Sequence, residues 1–200
     1  MQSTLFHLHF ATPDVPGAAG RLTAAGVPLQ RRFGSVRGEG VSLGPADPEP
    51  PEFRFKLQVH RRGAVDVTLA PGRRPHFDHL GLLVSDRDAV LARARDRGWS
   101  VRTDERRPFV MTPWGFRVEV HDADSPAVQD LGSADEARIE TVALHVRNPD
   151  VVRESLEVVF GCIPALELVE GAGPWVGAVE LGGRAAPDGM EVETADLLAV

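Results

Sequence analysis

The chain has one cysteine, Cys162, and no tyrosine among its 200 residues. A single thiol excludes an internal disulfide. The absence of tyrosine removes the phenol from any acid–base scheme. Positive charge is also scarce: the formal net charge is -7, which argues against phosphate-driven nucleic-acid binding. Arg31, Arg32, Arg61 and Arg62 read as solvated turn residues rather than a basic face. No apolar run approaches the length of a membrane span. The N-terminus lacks a basic segment followed by an apolar one, so no secretory signal is expected. The expectation is a reduced, cytoplasmic protein with neither nucleic-acid nor membrane partners. With 42% hydrophobic and 26% charged residues, the chain has enough apolar material for a core.

What is present is a repeat. The first stretch runs His7-Leu8-His9-Phe10, then Asp14, and ends at Gly26; the second runs His79-Leu80-Gly81-Leu82-Leu83-Val84, then Asp86, and ends at Gly98. The histidine-to-aspartate and histidine-to-glycine spacings are identical in the two, at seven and nineteen residues. A third stretch runs Thr141-Val142-Ala143-Leu144-His145-Val146, with Asn148 and Gly161 following. Such self-similarity marks one small module copied along the chain.

Each copy opens on a strand. Residues 5–11, 78–84 and 140–146 alternate or run apolar. A helix should follow, over residues 15–25 in the first copy and on a stripe of Val90, Leu91 and Ala94 in the second. In the third, Val151, Val152, Ser155, Leu156, Val159 and Phe160 recur with helical period after Pro149-Asp150. Gly26, Gly98 and Gly161 are natural helix stops. Short strands come next: 29–33, 53–59 and 65–69 in the first copy, around a proline-rich loop at 44–52; 100–103, 109–112 and 116–121 in the second; 166–169, 175–181 and 190–194 in the third. The order is strand, helix, three strands, three times over. The polar stretch 122–137 is the best linker candidate.

This order resembles the vicinal oxygen chelate superfamily, which includes glyoxalases, bleomycin-resistance proteins and extradiol dioxygenases. The resemblance is strongest where the chain reads HFDHLGLLVSD and TPWGFRVEVHD. It implies an α+β fold of repeated βαβββ modules. Two are paired into a cupped mixed sheet with helices outside, and a third C-terminal module is appended. The implied organisation is residues 1–124 as the paired modules (1–74 and 75–124) forming one site, and 137–200 as a degenerate third module. In the family, metal ligands come from the first strand of each module and from the last strand. Carried over, these positions fall on His7, His79 and Glu119. Val67 occupies the matching last-strand position of the first module, so a fourth ligand is missing there.

Two imidazoles and a carboxylate on three strands suit a divalent Fe, Mn, Ni or Zn ion and leave positions open for substrate oxygens. Strand alternation puts Arg117 and His121 on the Glu119 face and His9 on the His7 face. Candidate catalytic residues are therefore Glu119, His9 and His121 for proton transfer, and Arg117 for holding a carboxylate or enolate oxygen. His60 and His76 read as exposed.

The resemblance implies a metal-dependent enzyme acting on vicinal oxygens of a small molecule. The ring-cleaving members generally use a tyrosine that this chain lacks, and glyoxalases usually present four ligands where three are counted here. The alternative is a metal-free small-molecule or drug-binding protein, with a cup lined by aromatics such as Trp99, Phe109, Trp114 and Phe116. In the third unit Thr141 replaces the histidine, Glu193 matches Glu119, and His145 is four residues out of place. A lone module of this kind leaves an open sheet edge, so a homodimer through the C-terminal module is expected.

Overall fold

The repeat spacing is a helix length with its two ends marked. Asp14 and Asp86 each cap a helix, accepting from the backbone N–H of Gly17 and of Ala89 at 2.9 Å. Gly26 and Gly98 end those helices with positive φ of 78° and 75°, where a side chain would be strained.

The computed structural model describes residues 1–103, 107–184 and 190–198. In chain order the elements are β1 (Thr4–Thr12), α1 (Val15–Ala24), β2 (Leu29–Val36), β3 (Glu39–Leu43), β4 (Arg54–Arg62), β5 (Val65–Pro71) and β6 (His76–Leu83). They continue with α2 (Arg87–Asp96), β7 (Ser100–Arg102), β8 (Phe109–Met111), β9 (Arg117–His121), α3 (Pro126–Gln129), β10 (Arg138–Val146) and α4 (Pro149–Phe160). The last are β11 (Leu166–Glu170), β12 (Trp175–Gly182), β13 (Met190–Glu193) and α5 (Thr194–Leu197). Among the described residues no helix is long and apolar enough to cross a membrane.

The fold is α+β, with two sheets. The larger has the order β3-β2-β4-β5-β1-β6-β9-β8-β7. In each half the first strand lies parallel to the last, β1 on β5 and β6 on β9, and the halves join at the antiparallel β1/β6 pair. That topology brings the opening strands of both repeats, and their histidines, to the centre of one sheet.

The first copy contains one strand more than its sequence suggests. The β2–β3 hairpin turns on Arg37 and Gly38, both with positive φ (53° and 90°). A two-residue turn of that hand favours Asn-Gly or Asp-Gly, so Arg-Gly gives little warning of it.

The second sheet has the order β11-β10-β12-β13. Its elements follow the strand, helix, three strands order, but β10 pairs in parallel with β11, the strand directly after the helix. Glu193 consequently lies on the outer strand opposite Ala178, not beside β10, so it is not the counterpart of Glu119. Gly189, from which that match was counted, lies outside the described residues.

One core runs under both sheets. Leu8, Phe10, Phe77, Leu80, Phe116, Val118 and Val120 are at most 1% exposed beneath the large sheet. Trp99 contacts Phe160 of α4 at 6.3 Å between rings, and Ser3 Oγ donates to Phe160 O at 2.6 Å. Residues 122–137 are packed rather than loose. Gly132 N–H donates to Gly63 O at 2.8 Å, and Ala64 N–H to Ala137 O at 2.8 Å. A Cβ on Gly63 would lie 2.6 Å from Ala137 N, so this approach depends on glycine.

Candidate functional site

The face of the large sheet turned away from its helices forms a cavity of about 620 Å³. Alternate residues of four strands line it: Arg31 and Phe33, Val59 and Arg61, Asp66 and Thr68, Glu119 and His121. Where alternation breaks, a bulge explains it. Register shifts between Leu5 and His7 and between Leu29 and Arg31 turn Phe6 and Gln30 toward the same space. Pro126, Ala127 and Asp130 from the presumed linker complete the wall.

His7 is buried, and its Nδ1 lies 2.7 Å from Asp66 Oδ1. A carboxylate only accepts, so the His7 proton is assigned to Nδ1 and the lone pair to Nε2. Asp66 is itself fixed by Arg61, whose Nε and Nη2 donate to Oδ2 at 3.0 and 2.5 Å. Burial alone would raise the Asp66 carboxyl. The His7 bond and the Arg61 charge outweigh it and hold the group below its ordinary value.

His79 repeats the arrangement. Its Nδ1 lies 2.8 Å from Asp78 Oδ2, and Arg117 donates to the same oxygen. Its Nε2 faces His7 Nε2 at 3.2 Å and Glu119 Oε1 at 3.3 Å. Burial, followed by the neighbouring His7, pulls the His79 imidazole down to about 3. Glu119 stays ionised despite burial, because His121 hydrogen-bonds to it and His7, His79 and Arg107 surround it. Gly81 lies opposite His7 across the seam. A Cβ there would meet His7 Cβ at 2.8 Å, so glycine makes room for the ring.

His7 Nε2, His79 Nε2 and Glu119 Oε1 therefore converge as acceptors. Two facing lone pairs at 3.2 Å repel unless a proton or a cation lies between them, and a divalent cation fits this donor set. The nitrogens of His7, His9 and His79 also lie within 4.8 Å of one another. The two sets share His7 and His79. Of the two candidates for a third donor, Glu119 brings charge, lies 3.3 Å from His79 Nε2 and lines the cavity with His7, whereas neither His9 nor His79 is among the lining residues.

His121 lies between Ser125 and Glu119, with Nδ1 2.8 Å from Ser125 Oγ and Nε2 3.3 Å from Glu119 Oε2. Arg117 is engaged by Asp78 and lies over the Phe109 ring at 5.0 Å. His9 packs on His79 at 4.6 Å between rings, and burial followed by the adjacent histidines lowers its pKa far below the usual imidazole value.

Several sequence expectations are corrected here. His60 is fully buried, with Nδ1 3.1 Å from Val27 O and Nε2 2.8 Å from Gln58, because β4 runs through the position read as a turn. Arg61 is a half-buried strand residue paired with Asp66 rather than a solvated one. Trp99 and Phe116 belong to the core with Trp114 packed against it, and the aromatics lining the cavity are Phe6 and Phe33. His76 is exposed, as expected. Asp66, Asp78, Gly81 and Ser125 were missed. Asp66 is next to Val67 in sequence, and only pairing of β1 with β5 reveals its role.

No family model matches the sequence, and no curated protein matches it. Solved structures do. A Mn(II)-bound glyoxalase from Novosphingobium aromaticivorans is 13% identical with a TM-score of 0.61, over 88% of this chain and 64% of that one. An extradiol ring-cleaving dioxygenase from B. fuscum is 14% identical with a TM-score of 0.58, over 88% and 55%. A halotolerant catechol dioxygenase, BphC, is 14% identical with a TM-score of 0.53, over 79% and 54%. This chain spans less than two thirds of each. Its resemblance to the vicinal oxygen chelate superfamily is thus a resemblance of fold, shared with both the glyoxalases and the extradiol dioxygenases.

Proposed function

We propose that this chain is a metal-dependent enzyme of the glyoxalase and dioxygenase type, with His7, His79 and Glu119 holding a divalent Fe, Mn, Ni or Zn ion. The observation that carries this reading is the convergence of three acceptor atoms whose rings are fixed from behind by Asp66 and Asp78. When bound, such an ion supplies Lewis acidity toward adjacent oxygens of a small substrate. The remaining work falls to the protein. Asp66 and Asp78 orient the imidazoles and keep their lone pairs inward. Arg117 acts through Asp78 as a positioning residue for His79. His121 is the group placed to move a proton at the cavity wall, with Glu119 accepting from its Nε2 and the Ser125 hydroxyl bonded to its Nδ1. His9 packs against the His79 ring.

Residues 1–124 are the site-bearing part in this reading, and the site lies in a cytoplasmic protein. Two copies associate through the C-terminal unit, residues 137–200, and a monomer mass in solution at micromolar concentration would refute that association. Metal content tests the main reading. Near-stoichiometric metal in the purified protein, lost in His79→Ala and Glu119→Ala, is expected. No metal after anaerobic reconstitution would overturn it and leave a metal-free binding cup.

A further inference from the structure

The charges around the cavity are paired except at one residue. Arg61 is held by Asp66 and lies 3.8 Å from Asp130, and Arg107 lies 4.0 Å from Glu119. Arg31 donates to the hydroxyl of Ser42 at 3.1 Å and, among the described residues, has no carboxylate within 4.0 Å. Among the described residues it is the one cation of the wall without a counter-ion. The β2 bulge and strand alternation place it beside Gln30 and Phe33, in a space that also holds Phe6 and Val59. A guanidinium without a counter-ion presents a planar fork of donors that matches a carboxylate. Beside it Phe33 and Val59 present apolar surface.

We propose that the cavity takes a small amphipathic carboxylate. Its apolar body packs on Phe6, Phe33 and Val59, and its carboxylate accepts hydrogen bonds from Arg31. This inference rests on reading the cavity as the substrate site. It names the charge of the substrate and the residue that selects it.

Calorimetric titration of the intact protein with phenylpropionate and with phenylpropionamide tests this, because the two differ in charge and hardly in shape. The acid should bind roughly tenfold more tightly than the amide, as a charge-assisted bidentate contact gives. The preference should collapse toward unity in Arg31→Gln and survive in part in Arg31→Lys, which also shows that the wall still folds. Equal binding of acid and amide, no saturable binding of the acid at millimolar concentration, or a preference untouched by Arg31→Gln would overturn the proposal. Metal content measured on the same samples separates the two readings. An Arg31-dependent preference in protein that takes up no metal upholds this inference and removes the metal reading. Metal uptake without the preference does the reverse.

Discussion

In both sheets a long strand pairs antiparallel with a neighbour, and the ladder slips twice. In β1 the slips fall between Leu5 and His7 and between His9 and Phe10; in β10 they fall between Ile139 and Thr141 and between Ala143 and Leu144. The two pairs therefore superpose residue by residue. His7 opposite Gly81 corresponds to Thr141 opposite Glu180, and His9 opposite His79 corresponds to Ala143 opposite Ala178. On the parallel side Asp66 flanks His7, whereas Ala165 accepts from Val142 N–H beside Thr141. The C-terminal sheet keeps the bulged backbone of the seam and none of its imidazoles. Its one histidine, His145, sits in a niche of glycines, where a Cβ on Gly177 would lie 2.6 Å from Nε2. Backbone geometry, set by the bulges, is common to both regions, and they differ in the side chains it carries: His7, His9, His79 and Asp66 have no counterpart in the C-terminal sheet.

The comparison breaks first on metal. His79→Ala should abolish metal uptake, while His145→Ala should leave it at the wild-type level. Metal analysis of both variants decides this, and loss in the β10 variant would mean the two regions are not chemically distinct. The second test asks whether the regions are thermodynamically distinct. Phe160, the last residue of α4, is fully buried against Trp99. Phe160→Ala should cost about 3–5 kcal/mol and lower one cooperative urea transition of the whole chain. A separate early transition would show that the C-terminal sheet unfolds alone.

A smaller effect sharpens the role of the residue that Ala165 replaces. Asp66→Asn should weaken metal affinity roughly 10–100-fold without abolishing it, because a weaker partner orients His7 less firmly. Competition against a chelator measures this.

The last test is in pH dependence. His79 is held at about 3 in the fold, below its ordinary 6.5, so between those values the unfolded chain binds a proton that the folded chain does not. Stability contributed this way rises with pH across that window and is lost on acidification. Unfolding free energy measured from about pH 7 to about pH 4 should fall more steeply for wild type than for His79→Gln. Parallel slopes would show that His79 is not the group responsible.

Much of the framework was legible along the chain. The equal spacings from His7 to Gly26 and from His79 to Gly98 correspond to cap, helix and stop. Alternation in Arg117–His121 placed Val118 and Val120 in the core and Glu119 with His121 on the cavity wall. Other features were not legible, because they depend on partners distant in sequence. Asp66 acquires its role only from β5 lying parallel to β1, fifty-nine positions away from His7. Ser125 was read within a linker, and its contact with His121 follows from how that segment packs back on the cup. Glu193 was matched by counting from a glycine, a method that fails when the strand order changes from one sheet to the next.

The sequence by itself determined the local units: which residues form strands and helices, where the helices begin and end, and which side chains share a face. These follow from periodicity and from short-range hydrogen bonds, which need no distant partner. Only the tertiary structure decided which strands are neighbours, which carboxylate stands behind which imidazole, and which arginine is left without a counter-ion. Those outcomes depend on sheet order and bulges, where a shift of one residue exchanges the two faces of a strand.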